Sequence, residues 1–447
     1  MDESPRSGYA PARPGSPYRS TALTPEDAER MATLEHTVWF EVLPGVSATD
    51  TVREFDYDRG RAVEMDDQAL VGASSTPQGP LVGIYGAFDM HLSVPAAGDG
   101  VTRVPMNGLT WVGVHPDHRR RGILSSMMTE HLHGIHDRGE SAIAGLWAAE
   151  VGIYGRFGYG AASLEVMLQL STGTDLSAPE HIATAADDIT THMLPAHTEE
   201  ATAAIHALQV TAAEHTLGTA TRPERIARWW FQDFPKARGS KEQRQVLFAT
   251  RAGTPVGYAL LRRTSEWDDH NNPGGELRVA EMGTVDAPAL LALSRRLLSF
   301  DLISKVKFFA RSTDDPLVWW SGGPRSSTMK VTDALWVRLV DVPRALVERG
   351  YAAACDVVVE VKDDVCPWNA GRWRLRVDAD GIGHCEPSQD PADLTLGVDV
   401  LGSAYLGGRS ISSLAAAGWI IEHRPGAVRA LSRSMRADTE PYGTSGF

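Results

Sequence analysis

The run from Val112 to Leu124 constrains the fold of this chain more than any other segment. It reads VGVHPDHRRRGIL, so a strand ends, a short loop carries three arginines and a glycine, and a helix begins. The unpaired N–H groups and the positive dipole end of a helix start attract phosphate groups. The glycine permits close backbone approach, and the arginines add charge-assisted contacts. We therefore predict a diphosphate-binding loop formed by Val112, Gly113, Val114, Arg119, Arg120, Arg121, Gly122, Ile123 and Leu124.

Strands and helices alternate on both sides of this loop. Apolar, β-forming residues predict strands over 79–94 and 142–147, and helical spacing predicts a helix over 122–138. This order favours an α/β domain with a mixed sheet, which we assign to residues 23–186. Residues 1–22 are rich in Pro, Ser, Gly and Arg, and we expect them to form a disordered tail.

A second region, residues 187–334, repeats this pattern. Its segment TPVGYALL from Thr254 resembles PLVGIYGA from Pro80, and such self-similarity suggests duplication. Where its phosphate loop would lie, the segment GTVDAP from Gly283 has no arginine. We therefore interpret the second copy as structural. Residues 335–447 change to an α+β pattern, and the chain from Asp438 onward is expected to be irregular. The whole chain is thus predicted to be an α/β and α+β multidomain protein.

Charge and cysteine content argue against several classes of function. The net charge of -14 disfavours a nucleic-acid partner, which calls for clustered Lys and Arg, and suits a cationic one. Cys355, Cys366 and Cys385 form no CxxC pair and no cluster with metal-ligand spacing. We therefore expect reduced thiols in a cytoplasmic protein without a metal. No apolar run reaches membrane-spanning length, so no membrane partner is expected.

The phosphate loop resembles the acetyl-CoA motif of the Gcn5-related N-acetyltransferases (GNAT). One departure is Leu124, which stands where that superfamily commonly has Gly or Ala. Four further segments resemble the enhanced intracellular survival (Eis) branch of the superfamily, and the resemblance runs from about residue 23 to the C-terminus. These segments are IYGRFGYG (153–160), LWVRLVDVP (335–343), ALVERGY (345–351) and VLGSAYLG (400–407).

The resemblance implies three domains and a co-substrate. The first would be a catalytic GNAT domain that binds acetyl-CoA, with Val112 and Val114 hydrogen-bonding the pantetheine arm. A degenerate GNAT-like domain and a sterol-carrier-like C-terminal domain would follow. The resemblance also implies a homohexamer, which nothing in the sequence indicates independently.

Two catalytic groups follow from the same resemblance. Tyr154, the first tyrosine of YGRFGY, corresponds to the general acid that protonates the departing thiolate, and Tyr159 is the alternative. The base corresponds to the carboxylate of the C-terminal residue, here Phe447. An α-carboxyl group is a weak base, with a pKa of roughly 3.3–3.7, and burial would raise that pKa. The carboxylate would deprotonate the amine or hold the ammonium for deprotonation through water.

The resemblance further implies an acidic cleft for polyamines. Glu41 matches one acidic residue of that cleft, whereas Gly446 stands where a second acidic residue is often found. Trp39, Trp111 and Glu150 are further candidates for the cleft wall, although tryptophan is equally common in a core.

We expect direct transfer of an acetyl group to a primary amine of a polycationic small molecule, with aminoglycosides as the leading class. A ternary complex is expected because no cysteine lies near the loop in sequence to carry an acyl group. Two alternatives stay open: acylation of lysine in a protein or peptide, and a non-catalytic sensor of acyl-CoA or lipid. The choice of acetyl-CoA as coenzyme rests on the resemblance, because a diphosphate site does not contact the acyl chain.

Overall fold

Three β-sheets form the framework of the described chain, which comprises residues 17–40, 43–65, 80–444 and 446–447 of a computed structural model. The first stretch of chain contains the predicted strand–loop–helix–strand unit. Its elements are β1 (Tyr18–Thr21), α1 (Ala28–Trp39), α2 (Ala48–Thr51), β2 (Arg61–Met65), β3 (Leu81–Pro95), β4 (Val101–Val114), α3 (Ile123–Arg138), β5 (Ile143–Trp147), α4 (Val151–Tyr154), β6 (Gly160–Ala161) and β7 (Leu164–Ser171).

The second stretch repeats the arrangement of three antiparallel strands, a helix and a parallel strand. Its elements are α5 (Glu180–Asp187), β8 (Ile189–Pro195), α6 (Glu199–Ala213), β9 (Ala220–Thr221), α7 (Glu224–Trp230), α8 (Pro235–Arg238), β10 (Gln245–Arg251), β11 (Thr254–Thr264), β12 (Gly275–Thr284), α9 (Ala287–Leu297), β13 (Ile303–Arg311), α10 (Pro316–Trp320) and β14 (Thr328–Asp333).

The third stretch has the predicted α+β pattern. Its elements are β15 (Leu335–Leu339), α11 (Val342–Val347), β16 (Cys355–Lys362), β17 (Gly371–Val377), β18 (Gly383–Pro387), β19 (Leu394–Gly397), α12 (Val398–Ala404), α13 (Ile411–Ala416), β20 (Ile420–Glu422) and α14 (Ala427–Met435). No helix or strand follows α14 in the described residues up to 444 and at 446–447, as expected for the chain from Asp438.

The sheets exchange strands across the predicted domain boundaries. The first sheet has the order β1-β2-β3-β4-β5-β15-β6, with β9 paired to β3, and the second has the order β14-β7-β13-β12-β11-β10-β8. Strand β7 therefore belongs to the second sheet although it lies in the predicted domain 23–186. Strand β15 belongs to the first sheet although it opens the predicted domain 335–447. Alternation of apolar residues indicates a strand, but it does not indicate which sheet the strand joins. The third sheet has the order β18-β17-β16-β19-β20.

The N-terminal segment differs from the prediction of a disordered tail over residues 1–22. Residues 18–21 form β1, which pairs antiparallel with β2 so that Tyr18 lies opposite Met65. The Tyr18 ring is buried, and this burial offsets the entropic cost of ordering the segment. Residues 1–16 lie outside the described residues.

Local sequence explains the elements that surround the loop. Before α1, the Thr24 backbone N–H donates to the Asp27 carboxylate at 2.9 Å in a capping box, which satisfies a donor at the helix start. Helix α3 buries Met127, Leu132 and Ile135 against the sheet, as the helical spacing predicts. None of the helices among the described residues is long and apolar enough to cross a membrane.

Candidate functional site

The predicted phosphate loop joins β4 to α3 with two residues in left-handed backbone conformation. Arg120 has φ +60° and Gly122, the residue before α3, has φ +86°. A Cβ added at Gly122 would meet no atom within 4 Å, so the backbone faces open space there. The N–H groups at the start of α3 have no helical partner. The loop therefore has the geometry of an anion site at a helix start.

The side chains of the loop divide into exposed and buried groups. Arg119, Arg120 and Arg121 are exposed and can reach a diphosphate. The Ile123 side chain is buried, so this residue can offer a ligand only its backbone N–H. Leu124 is partly buried against the core of the first domain, which explains why a residue larger than Gly or Ala fits there.

Strand β1 braces the loop through a chain of hydrogen bonds. Arg121 Nη1 donates to the Tyr18 hydroxyl at 3.0 Å, and this hydroxyl lies 3.0 Å from Nδ1 of the buried His118. The Tyr18 and His118 rings also pack edge-on, with centroids 5.8 Å apart. The sequence interpretation missed Tyr18, because the flanking Pro, Ser and Arg residues concealed a strand of four residues.

Strands β4 and β5 separate beside the loop. Their parallel pairing ends at Gly108 and Gly145, although β4 continues to Val114 and β5 continues to Trp147. Opposite β3, strand β4 also has a bulge, where Trp111 adopts φ +58°. We call the opening between the two strands the first wedge. It leaves backbone donors and acceptors of β4 unpaired, which is what a pantetheine arm requires.

The Tyr154 hydroxyl is held protonated at the end of α4. The side chain is buried, and this burial, followed by the charge of Glu150, raises the pKa of Tyr154 to about 12. Tyr159 is fully buried, and burial raises its pKa further above the ordinary value. The Tyr159 hydroxyl has no hydrogen-bond partner among the described residues, so it is enclosed rather than directed at a ligand. The surroundings thus favour Tyr154 over Tyr159 as proton donor.

The C-terminal domain supports this tyrosine turn. A Cβ at Gly158 would lie 2.7 Å from Nε of the buried Arg338, and one at Gly160 would lie 2.0 Å from the backbone oxygen of Asp399 in α12. Arg338 in turn makes a buried ion pair with Asp363 at 2.7 Å. The glycines of the segment IYGRFGYG therefore permit close packing of the third domain behind Tyr154.

The segment after α14 is irregular yet firmly held. Glu440 pairs with Arg409, and its backbone N–H donates to the Asp314 carboxylate at 3.2 Å. The Tyr442 N–H donates to the backbone oxygen of Leu217 at 2.9 Å. These contacts lead the chain across the second domain toward the first.

The last residue of this sequence lies at the first wedge. The Phe447 ring packs edge-on against Trp147 with centroids 4.7 Å apart. A Cβ at Gly108 would lie 2.8 Å from the ring. The buried Arg222 holds the preceding residue, because its Nε donates to the Gly446 oxygen at 2.7 Å. Sequence analysis missed Arg222, because no local motif surrounds it.

The predicted cleft residues differ in their exposure and contacts. Val38, the residue before Trp39, packs on Gly113. The distance from Val38 Cγ1 to a Cβ built on Gly113 is 3.1 Å. The Trp39 side chain is 39% exposed at the end of α1. The Trp111 ring packs against Phe55 with centroids 5.7 Å apart and is therefore partly structural. Glu150 is exposed before α4. Glu41 lies outside the described residues.

The corresponding loop of the second copy has lost its anion site. The Asp286 carboxylate caps α9 by accepting from the Ala289 N–H at 2.9 Å, and it pairs with Arg251 at 2.8 Å. A carboxylate at the helix start repels phosphate, which agrees with the interpretation of this copy as structural. In the described ranges, no group of His, Cys, Asp and Glu side chains could hold a metal ion.

Comparison with protein families assigns all three regions. Residues 22–162 and residues 218–339 each match an acetyltransferase (GNAT) domain family. Residues 342–443 match the sterol carrier protein domain. These matches confirm the predicted tandem GNAT-like domains and the sterol-carrier-like C-terminal domain.

Similar proteins match over most of the chain. An uncharacterized N-acetyltransferase of Streptomyces coelicolor is 38% identical over 368 residues, which is 82% of this chain and 86% of that protein. The N-acetyltransferase Eis of Mycobacterium tuberculosis is 31% identical over 361 residues, 79% of this chain and 83% of its own length. The crystal structure of Eis1 from Mycobacterium abscessus superimposes with a TM-score of 0.77 at 28% identity, covering 96% of this chain and all of that one.

Proposed function

Because the chain belongs to the Eis family of GNAT N-acetyltransferases, we propose that it acetylates a primary amine of a polycationic small molecule. Aminoglycosides are the leading substrate class. The observation that carries this proposal is the position of Phe447, whose ring lies between Gly108 and Trp147 at the first wedge. A sensor without catalysis would have no need of an aromatic ring held at this point.

The loop and the first wedge fit acetyl-CoA as co-substrate. Arg119, Arg120 and Arg121 and the N–H groups at the start of α3 would hold its pyrophosphate, and the unpaired edge of β4 from Val112 to Val114 would hold its pantetheine arm. When bound, acetyl-CoA supplies an activated thioester. The chain's own residues must then position the amine and move two protons.

The two proton transfers fall to Tyr154 and Phe447. As the nitrogen–carbon bond forms, the amine loses a proton to the Phe447 carboxylate, directly or through water. As the carbon–sulfur bond breaks, the sulfur accepts a proton from the Tyr154 hydroxyl. The pKa of about 12 keeps this phenol protonated at neutral pH, which a proton donor requires.

The state of the thiols supports transfer without an acyl-enzyme. All three cysteines are free, and Cys366 packs in the same core cluster as Tyr154 and Tyr159, closer to them than the sequence suggested. Its side chain is fully buried, and burial raises its pKa to about 12, so it is neither accessible nor a thiolate. We therefore propose direct attack by the amine in a ternary complex.

Acceptor selection in this proposal rests on charge and on aromatic walls. Glu150, Trp39 and Trp111 would contact an amine-bearing ring, together with Glu41. Gly446 supplies no carboxylate, so the site offers one negative charge fewer than the Eis resemblance implies. We expect this missing charge to weaken the binding of bulky antibiotics with several amines.

Assembly and location are further parts of the proposal. Trp319 in α10 and Trp419 before β20 are 64% and 60% exposed, and such large apolar surfaces suit subunit contacts. We propose a cytoplasmic homohexamer on the basis of the Eis resemblance. Light scattering after size-exclusion chromatography measures this oligomeric state directly.

The deciding experiment is thiol release from acetyl-CoA with aminoglycosides, polyamines and lysine peptides as acceptors. Turnover of an aminoglycoside, lost in Tyr154→Phe, supports the proposal. If only lysine peptides were turned over, the proposed substrate class would change to proteins or peptides, and the proposed reaction would stay the same. Tight coenzyme binding without turnover of any acceptor would favour the sensor. Intact-mass analysis of each product counts the acetyl groups added.

A further inference from the structure

A cavity of about 310 Å³ opens in the second GNAT domain. It lies where the parallel pairing of β12 with β13 ends at Val279 and Phe308, although both strands continue. Ala280 stands at a register shift between β11 and β12, just as Trp111 stands in the bulge of β4. We call this opening the second wedge, because it repeats the geometry of the first in the duplicated domain.

The second wedge adjoins the candidate catalytic site. Trp147 and Gly446 both line it, and both neighbour Phe447: Trp147 through ring packing and Gly446 through the chain. Trp230 and Phe309 add aromatic surface. The volume and the aromatic lining suit a small organic molecule rather than a few waters.

Buried polar groups of this cavity have unused hydrogen-bonding capacity. Arg222 Nη2 donates to the Glu281 carboxylate at 2.6 Å, and its Nε donates to the backbone oxygen of Gly446. Its Nη1 has no partner among the described residues. Its side chain is only 1% exposed. The Thr444 hydroxyl, on a residue that is 2% exposed, likewise lacks a partner there. An unsatisfied buried donor is costly, so a ligand that accepts from Arg222 would stabilise the site.

The walls carry two arginines and two glutamates, so the preference for an anion rests on the unpartnered donor of Arg222. Glu281 is already satisfied by Arg222 and by the Tyr258 hydroxyl at 2.5 Å. Arg244 also lines the cavity, and burial, followed by the charge of Arg262, lowers its pKa to about 10. Glu165 lines the cavity as well, and burial raises the pKa of its carboxyl group.

We propose that the second wedge binds a small carboxylate with an apolar or aromatic body, held by Arg222 and Thr444 and packed on Trp147, Trp230 and Phe309. The carboxylate accepts from Arg222 Nη1 and from the Thr444 hydroxyl. The ring or alkyl body replaces water against the aromatic walls. This site is distinct from the diphosphate loop, which belongs to the first domain.

Benzoate is the probe, with benzamide and benzylamine as neutral and cationic matches of the same size. Isothermal titration of the full chain measures all three. Benzoate should bind at least about tenfold more tightly than benzamide or benzylamine, because neither of these compounds can form a charge-assisted hydrogen bond between a carboxylate and arginine. Equal binding of benzoate and benzamide, or tighter binding of benzylamine, would overturn the proposal.

Two variants locate the binding. Ala280→Phe fills the second wedge and removes neither of its arginines, and it should reduce benzoate affinity at least about tenfold. Ala416→Phe, at an exposed position of α13, is the matched control and should bind benzoate as the wild type does. Thr444→Val keeps the shape of the side chain but removes the hydroxyl, so it should weaken benzoate binding several-fold. This variant provides the test if Ala280→Phe does not fold. If both Ala280→Phe and Thr444→Val bound benzoate with unchanged affinity, the second wedge would not be the binding site.

Discussion

The Phe447 ring meets the Trp147 indole at 88°, with the two ring centroids 4.7 Å apart. Trp147 ends β5, and Gly108, which also lies against the Phe447 ring, is the last residue of β4 that pairs with β5. The ring therefore fills the apex at which the two strands separate. In the proposed mechanism, this packing fixes the carboxylate that follows the ring.

Adding two glycines after Phe447 should abolish most of the activity while keeping the ring. The extension moves the carboxylate away from the apex but leaves the aromatic contact, so kcat should fall about a hundredfold or more, as for loss of a positioned base. The KM for acetyl-CoA should change little, because the loop is untouched. Steady-state thiol release at saturating acceptor gives both constants.

Phe447→Leu is the control for that extension. It keeps the carboxylate at the chain end and part of the apolar contact with Trp147. Its kcat should remain well above that of the extended chain. An extended enzyme that turns over as fast as the wild type would exclude the terminal carboxylate as the base.

Tyr154→Phe should lower kcat about a hundredfold to ten-thousandfold, the usual contribution of a general acid. The hydroxyl is the only atom removed, so folding and coenzyme affinity should persist. Acetyl-CoA affinity by calorimetry, measured beside kcat, separates loss of chemistry from loss of binding.

Tyr159→Phe is the matched control for the acid. Its ring lies 6.1 Å from the Tyr154 ring, but its hydroxyl is buried with no partner among the described residues. Removing an unsatisfied hydroxyl should leave stability unchanged or slightly increased, and kcat should stay near the wild-type value. A larger loss in Tyr159→Phe than in Tyr154→Phe would reverse the assignment.

Sequence reasoning predicted the elements around the loop because their signals are local. The helix from Ile123 and the strand ending at Val114 follow from periodicity, and the glycine and arginines between them follow from phosphate chemistry. Long-range features were not available in the same way. Tyr18 gains its role only when β1 pairs with β2, and Arg222 only when the chain end passes beside it.

The exchange of strands between sheets shows the same limit. Strand β7 lies in the predicted domain 23–186 and β15 in the predicted domain 335–447, yet each joins the sheet of a neighbouring domain. Pairing across domains depends on which edges are free after folding, and a strand pattern carries no information about that choice. The duplicated wedge was likewise hidden, because strand separation leaves no motif in the sequence.

Gly122→Ala tests the phosphate loop against a matched glycine. Gly122 and Gly139 flank the two ends of α3, both with left-handed backbone and both with open space for a Cβ. Each substitution should lower the free energy of unfolding by about 1 kcal/mol, because alanine is strained at positive φ. Only Gly122→Ala should also raise the KM for acetyl-CoA, since only that end faces the coenzyme. Equal KM values in the two variants would argue against the loop.

His131 should make the stability of the first domain depend on pH. Its side chain is buried on α3, its Nε2 has no partner in the described chain, and burial lowers its pKa from 6.5 to about 3. Because the folded pKa is below the unfolded one, the unfolded chain binds the proton between these values. Stability is therefore full above pH 6.5 and is lost progressively as the pH falls toward 3.

His131→Leu should remove this part of the pH dependence. When the pH falls from 7.5 to 5.5, this histidine should lower the free energy of unfolding by about 1.4 kcal/mol. The reason is that pH 5.5 lies one unit below the pKa of histidine in the unfolded chain. Urea unfolding at both pH values should show a drop that is smaller by that amount in the variant. His270→Gln, at an exposed loop position, should keep the wild-type drop. If His131→Leu lost as much stability as the wild type on acidification, the proton taken up on unfolding would belong to another group.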